Sequence, residues 1–279
     1  MTFLQAYQKG ITLVKTNTQA DTCVFDISCL FEKVFHRDRR RLSPEDGPAL
    51  KQDCELFFSL CRRYLDGEPL QYLLGEWEFF GLPFYVGPGV LIPQPDTEIL
   101  VETGLKLIQG ITGPTIYDLC SGSGCVAVSL AHNRRDAMVY ALELYEQAYA
   151  YLEKNIRRSG CSNLSPLLAD VLSPPPLPSA DLIVSNPPYI SAHEMASLPL
   201  QVKQEPASAL CGGEDGLTFY RSLPALYYPY LKPGGWLALE AGYQQAPSVR
   251  RLLKENGYVQ IKSIPDLAGI ERVTIGKKE

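Results

Sequence analysis

Histidine is scarce in this chain. His36, His132 and His193 are the only three in 279 residues, and they lie far apart. Eight cysteines stand at 23, 29, 54, 61, 120, 125, 161 and 211, with no Cys-x2-Cys pair among them. A structural zinc site needs closely spaced sulfur and nitrogen ligands, so zinc is excluded and no metal is expected. Scattered thiols without a pairing pattern are expected to be free and buried, as in a reducing cytoplasm. No run of about 18 apolar residues occurs, which excludes a spanning helix and leaves no membrane partner. The opening Met1-Thr2-Phe3-Leu4-Gln5 has no charged stretch followed by an apolar one, so no secretory signal is expected. An excess of basic charge is also missing. Lys and Arg number 26 against 31 Asp and Glu, for a net charge of −5 and a pI near 5.4. That balance argues against non-specific nucleic-acid binding, and no stable nucleic-acid partner is expected. The one dense basic cluster, His36-Arg37-Asp38-Arg39-Arg40-Arg41, reads as a solvated loop between helices.

What is present is core. The hydrophobic content is 46%, enough for one large or two smaller globular domains. Residues 1–70 show helical period and no convincing strand. Ile27, Leu30, Phe31 and Val34 fall at i, i+3, i+4 and i+7, one apolar face of a helix. Ser43-Pro44-Glu45-Asp46 has the form of an N-cap, a first-turn proline and two acids, and predicts a helix burying Leu50, Cys54, Phe57, Phe58, Cys61 and Leu65. Residues 71–90 read as a linker that becomes a β-hairpin with Gly81 near its turn.

From residue 91 onward the pattern alternates strand and helix, the signature of an α/β fold with a parallel sheet. Strands are expected at 115–119, 138–142, 165–169, 181–185, 235–240, 258–264 and 271–276. Helices are expected near 96–109, 124–133, 145–159, 215–231 and 245–256. The five residues Pro265-Asp266-Leu267-Ala268-Gly269 are too few for a crossover helix, so the last two strands should pair antiparallel. A largely parallel sheet ending that way is the arrangement of a Rossmann-like methyltransferase.

Four strand ends carry the chemistry. After Thr115-Ile116-Tyr117-Asp118-Leu119 comes the turn Cys120-Ser121-Gly122-Ser123-Gly124 and then a helix start. Ligands bind at such carboxyl ends in open α/β sheets. Gly122 and Gly124 allow a tight turn and close approach of a ligand, and the helix start offers free N–H groups to a carboxylate. The spacing is not Gly-x-Gly-x-x-Gly, which weakens a dinucleotide reading. The second strand ends in Glu143, placed to bond the two hydroxyls of a ribose. The third ends in Asp170-Val171, an acid for the amino group of adenine and a side chain for its ring face. Each acid alone is an ordinary surface carboxylate; at successive strand ends they point to an adenosine-type cofactor. The fourth strand, Asp181-Leu182-Ile183-Val184-Ser185, runs into Asn186-Pro187-Pro188-Tyr189. Asn-Pro and Pro-Pro commonly do no more than end a strand. Beside a cofactor site they also make a rigid cup. The prolines fix φ and leave carbonyls without competing donors, Asn186 offers an amide, and Tyr189 offers a flat face. Such a cup holds a planar –NH2 group with its lone pair aimed at an electrophile.

These segments, with Leu91-Ile92-Pro93-Gln94-Pro95-Asp96-Thr97-Glu98, Glu205-Pro206, Gly212-Gly213-Glu214-Asp215-Gly216-Leu217 and Glu271-Arg272-Val273, resemble the HemK/PrmC family over nearly the whole chain. That family comprises the N5-glutamine methyltransferases of peptide chain release factors. The tetrapeptide alone is shared with DNA adenine and RNA guanine methyltransferases. The Pro-Asp-Thr-Glu segment and the helical N-terminus narrow the choice. The resemblance implies a seven-stranded class I methyltransferase domain over 91–279, with S-adenosylmethionine as cofactor. It implies a small all-α substrate-recognition domain over 1–70 and a hairpin linker over 71–90. Cofactor contacts fall on Cys120, Ser121, Gly122, Ser123, Gly124, Glu143, Asp170, Val171 and Asn186. Substrate contacts fall on Asn186, Pro187, Pro188 and Tyr189, of which Asn186, Pro187 and Tyr189 carry catalysis. The implied reaction methylates the glutamine side chain of the Gly-Gly-Gln motif in class 1 release factors, by a cytoplasmic monomer. The alternatives are a DNA or RNA base amino-group methyltransferase and a non-catalytic cofactor-binding module. Three positions depart from the family pattern: Cys120 stands where Gly is common, Gln94 where Arg is, and Glu143 where Asp is. Cys120 fits most turn geometries, provided φ is negative.

Overall fold

The computed structural model describes residues 1–17 and 23–279; residues 18–22, inside the expected helical region, lie outside it. Two compact units divide the chain. One comprises Met1–Glu76 with Pro199–Gln204, the other Trp77–Leu198 with Glu205–Glu279.

The first unit is helical: α1 Phe3–Asn17, α2 Cys23–Phe35, α3 Lys51–Leu65 and the short α4 Leu70–Leu74. Its centre is aromatic. Phe31 and Phe57 are fully buried and meet edge-on at 5.6 Å, with Phe35 packed against both. A side chain at Gly10 would strike the Phe57 ring at 2.6 Å, so that glycine is what lets α1 approach α3. Asp26, the one buried acid among the unit's described residues, accepts a hydrogen bond from Tyr64 at 2.5 Å. Ile27, Leu30 and Phe31 face inward as the helical spacing predicts.

The helix expected to start at Ser43 does not. Ser43–Asp46 is a turn closed by the Asp46 N–H on the Ser43 carbonyl and the Ser43 N–H on the Asp46 carboxylate. Gly47 and Pro48 follow, and Pro48 pairs with Thr2 in an isolated β-bridge. That extended stretch delays α3 to Lys51 and leaves Leu50 61% exposed rather than buried.

In the second unit, β1 Glu76–Phe79 and β2 Leu82–Tyr85 form the expected hairpin. Phe80 and Gly81 take φ of 52° and 71° at its tip, the two positive values that a tight primed turn requires. A sheet follows: β3 Thr115–Leu119, β4 Met138–Glu143, β5 Leu164–Leu168, β6 Ala180–Ser185, β7 Leu231–Glu240, β8 Val259–Pro265 and β9 Glu271–Lys277. Its order is β5-β4-β3-β6-β7-β9-β8. The first five strands are parallel, and β9 runs antiparallel to both β7 and β8. Its longer helices are α5 Glu98–Leu107, α6 Cys125–Asn133, α7 Glu146–Ser159, α10 Thr218–Tyr227 and α11 Ala246–Glu255; α8 Ala192–Met195 and α9 Ala207–Leu210 are single turns.

The strand positions agree with the sequence reading to within a residue or two, except that β7 starts earlier, at Leu231. Helix α10 is shorter than expected, because Asp215 accepts from Leu217 N–H and holds a turn there. β6 is buried along its whole length, including Asp181, which takes the Thr115 N–H at 2.8 Å and the Lys232 ammonium at 2.6 Å. The strand order reverses between β3 and β6. In open α/β sheets the crevice at such a reversal is where ligands bind.

Candidate active site

A cavity opens at the carboxyl ends of β3, β4 and β6. Cys120, Ser121, Gly122 and Ser123 line it, as do Glu143, Asp170, Val171, Asn186 and Pro188. Gly124 stands just behind as the residue before α6. Residues predicted from separate segments therefore share one space. Pro187 and Tyr189 do not line it: Pro187 is buried, and the Tyr189 ring packs on Gly242, where a side chain would meet it at 2.8 Å.

The turn after β3 is built by hydrogen bonds. Ser121 N–H donates to the Leu142 carbonyl, and Ser121 Oγ donates to the Asp118 carbonyl. Asp118 Oδ2 accepts from Ala127 N–H at 3.0 Å and holds the start of α6 against the strand. Burial pushes the Asp118 carboxyl up to about 7. Gly122 has φ 54° and open space where a side chain would point. Gly124 has φ 79° and Leu152 only 2.4 Å from its missing Cβ. Only glycine fits there without strain. Cys120 corrects the reading that it would avoid positive φ: its φ is 59°. A residue with a Cβ stands in a left-handed conformation where the family pattern commonly has glycine.

The longer arm of Glu143 bends back on its own loop. One carboxylate oxygen accepts from Leu144 N–H and Tyr145 N–H, both at 2.9 Å, and the other from Gly122 N–H at 2.8 Å. An ionised carboxylate has about four lone-pair sites, so roughly one remains for a ligand hydroxyl. Asp170 Oδ1 accepts from Leu172 N–H at 2.8 Å, which leaves Oδ2 as the acceptor for an amino group. Gln94 also lines the cavity, and its amide donates to the Ile92 carbonyl.

Asn186 Nδ2 donates to Thr97 Oγ1 at 3.0 Å, from the Pro-Asp-Thr-Glu segment. Behind them Glu240, at the end of β7, is 2% exposed; burial pushes its carboxyl up to about 7. Arg272 pairs with Asp96 at 2.8 Å and Asp266 at 3.0 Å, so the Glu-Arg-Val segment anchors the Pro-Asp-Thr segment. Burial pushes the Tyr189 phenol up to about 12, which keeps it protonated and unsuited as a base.

Sequence reasoning missed three supports. Asn155 on α7 takes the Tyr85 N–H on its oxygen and gives its own N–H groups to the Tyr85 and Ser123 carbonyls. It thereby ties the hairpin to the glycine turn. Side chains at Gly212 and Gly216 would strike the backbone of Pro188 and Tyr189, so the Gly-Gly-Glu-Asp-Gly-Leu segment is the bed of the cup. Glu205 Oε2 accepts from Ile92 N–H at 2.8 Å and holds the cavity lip. The signal for the last two lay in quoted motifs without an assigned role; Asn155 had no signal beyond a polar residue in a helix. Among the described residues, no cluster of His, Cys, Asp and Glu could hold a metal ion, and no helix is long and apolar enough to cross a membrane.

Comparison with known proteins agrees with this geometry. The family described as Methyltransferase small domain matches residues 95–205, and that described as PrmC N-terminal domain matches residues 11–75. The chain is 35% identical to the release factor glutamine methyltransferase of Fusobacterium nucleatum, over 99% of this chain and 78% of that one. It is 38% identical to the enzyme of the same name from Thermodesulfovibrio yellowstonii, over 88% of this chain and 89% of that one. A methyltransferase structure from Pyrococcus furiosus superposes with a TM-score of 0.55 at 21% identity, over 78% and 96% of the two chains, and shares the fold. The chain belongs to the release factor glutamine methyltransferase family.

Proposed function

We propose that this protein transfers a methyl group from S-adenosylmethionine to the side-chain nitrogen of the glutamine in a release factor's Gly-Gly-Gln loop. The observation that carries this reading is the convergence of the Asn186 cup with the glycine turn and two strand-end acids on one cavity. The donor set suits the cofactor. Glu143 has one acceptor site for a ribose hydroxyl, Asp170 has an acceptor for an adenine amino group, and Val171 lines the same wall. Gly122 leaves room where a Cβ would stand, and the start of α6, whose Cys125 and Val126 line the cavity, offers N–H groups to a carboxylate.

When bound, S-adenosylmethionine supplies an electrophilic methyl on sulfur. The chain's part is positioning. Asn186 Oδ1 and the Pro187 carbonyl accept the two hydrogens of the substrate –NH2, and Tyr189 braces the planar amide. So held, the substrate nitrogen would have its lone pair directed at the methyl that the cofactor would supply in the cavity lined by Gly122, Glu143 and Asp170. The same two acceptors stabilise the positive charge developing on nitrogen. The methylated amide then loses one proton to water, so no side-chain base is needed. The helical unit, read over residues 1–70 with 71–90 as its link, grips the body of the release factor. The protein acts as a cytoplasmic monomer with no nucleic-acid partner.

The test is incubation with methyl-labelled S-adenosylmethionine and, separately, a class 1 release factor, DNA and transfer RNA. Label is expected on the release factor alone. Label on either nucleic acid in its place overturns the reading in favour of a base methyltransferase.

A further inference from the structure

An asparagine cup works in only one of its two amide orientations. The oxygen must face the substrate –NH2; if the amide is turned over, donors face donors. The two orientations have nearly the same shape, so packing cannot choose between them and hydrogen bonds must. Asn186 Nδ2 donates to Thr97 Oγ1 at 3.0 Å, and Thr97 is 2% exposed. A hydroxyl that accepts from Asn186 needs an acceptor for its own proton. β6 and β7 run parallel with Ser185 beside Leu239, so the next residues, Asn186 and Glu240, are neighbours at the strand ends, and the Glu240 carboxylate is what Thr97 and Asn186 face on that side. Glu240 does not line the cavity, and its buried Oε2 has no hydrogen-bond partner. That oxygen is an acceptor with unused capacity directly behind the cup.

We propose that Glu240, acting on Asn186 both directly and through Thr97, fixes which way round the Asn186 amide stands, and is therefore a positioning residue for the methyl transfer. In this arrangement the Asn186 amide N–H groups are turned to Thr97 Oγ1 and the Glu240 carboxylate, and the Asn186 oxygen is turned away from them. An overturned Asn186 would set its oxygen against acceptors only. The other charged and titratable groups facing Glu240 are arranged to leave that acceptor in place. Arg272 attracts it and Asp96 repels it, and the two are themselves paired at 2.8 Å. The Tyr189 and Tyr220 phenols stay protonated beside it, and Tyr220 donates to the Glu240 main-chain carbonyl at 2.8 Å. The motif residue Thr97 thus has a task that its place in the sequence does not show.

The inference rests on the proposed function for its kinetic readout but not for its structural one. Glu240→Gln keeps the shape and adds a donor, so the Asn186 amide can turn over. With release factor as substrate, kcat is expected to fall on the order of 100-fold while KM for S-adenosylmethionine stays put. Thr97→Val should lose kcat similarly, and Thr97→Ser should recover most of that loss. In the 15N-labelled protein saturated with S-adenosylhomocysteine, the Asn186 side-chain N–H groups should exchange slowly, and faster in Glu240→Gln. Wild-type kcat in Glu240→Gln overturns the proposal, as does a kcat loss with Asn186 exchange unchanged. If the wild-type protein labels no release factor, the functional reading fails, and the exchange comparison alone decides this one: equal protection in both proteins overturns it. Should Glu240→Gln not fold, the Thr97→Val and Thr97→Ser pair gives the same two readouts.

Discussion

The two units of this chain use buried residues in opposite ways. The helical unit buries aromatic rings in mutual contact, Phe31, Phe35 and Phe57 among them, and Asp26, the one buried acid among its described residues, is closed off by Tyr64. The sheet unit buries Asp118, Glu143, Asn155, Glu205 and Glu240 around a cavity; the first four each hold a backbone segment, and Glu240 stands behind Asn186. Burying charge is costly unless it is paired. The sheet unit carries that cost chiefly where ligand geometry has to be held, with Asp181 paired to Lys232 besides, and the described helical residues carry it once, at Asp26.

The contrast is sharpened first by Phe57→Ala. Truncating a fully buried phenylalanine is expected to cost about 4 kcal/mol in unfolding of the helical unit. S-adenosylmethionine affinity, measured by calorimetry on the folded protein, should not change. A parallel fall in affinity would break the division of labour. Asn155→Ala acts on the other side. It leaves two carbonyls and one N–H without their partner, at about 2 kcal/mol, and should weaken cofactor binding as the turn at Ser123 loosens. Lost stability with unaltered affinity would make Asn155 merely a packing residue.

Glu205 yields a smaller effect with a sign. Burial pushes its carboxyl up to about 7 from 4.5, so the folded protein keeps a proton that the unfolded chain releases. The stabilisation is full below the unfolded value and is lost as pH rises through about 7. Glu205→Gln keeps an acceptor for Ile92 N–H and has no charge. Its melting temperature relative to wild type should therefore rise between about pH 5 and about pH 8. A pH-independent difference contradicts the account. The smallest change is expected for Cys120→Gly. Relief of left-handed strain, about 1 kcal/mol, opposes the added freedom of the unfolded chain, so the unfolding midpoint should barely move. A large loss would mean that the thiol itself packs against something the turn needs.

Much of this molecule was legible because period and punctuation agreed. The strand–turn–helix at 115–133 and the buried run of β6 combine apolar runs with glycine or proline at the boundary, and both form as read. Where a local signal met a long-range one, the local signal lost. Ser43-Pro44 has the composition of a helix start, yet the bridge from Pro48 to Thr2 keeps the following segment extended. The site divides similarly. Residues at strand ends could be placed by counting along strands, so Gly122, Glu143, Asp170 and Asn186 meet in one cavity. Asn155 and Glu240 act across 32 residues to Ser123 and behind Asn186 respectively. Nothing in their neighbours along the chain reveals a partner that only the folded sheet supplies. The φ of Cys120 was hidden for the same reason: a turn's dihedrals follow from what it must connect.

The central claim is that the Asn186 cup presents a glutamine amide to a methyl donor in the strand-end cavity. Tandem mass spectrometry of a class 1 release factor, after incubation with S-adenosylmethionine and either wild-type protein or Asn186→Ala, tests it directly. The account predicts one added methyl on the Gly-Gly-Gln side-chain nitrogen with wild type and none with Asn186→Ala, although the variant still folds. Near-normal methylation by Asn186→Ala, or a methyl group at any other residue, would contradict it.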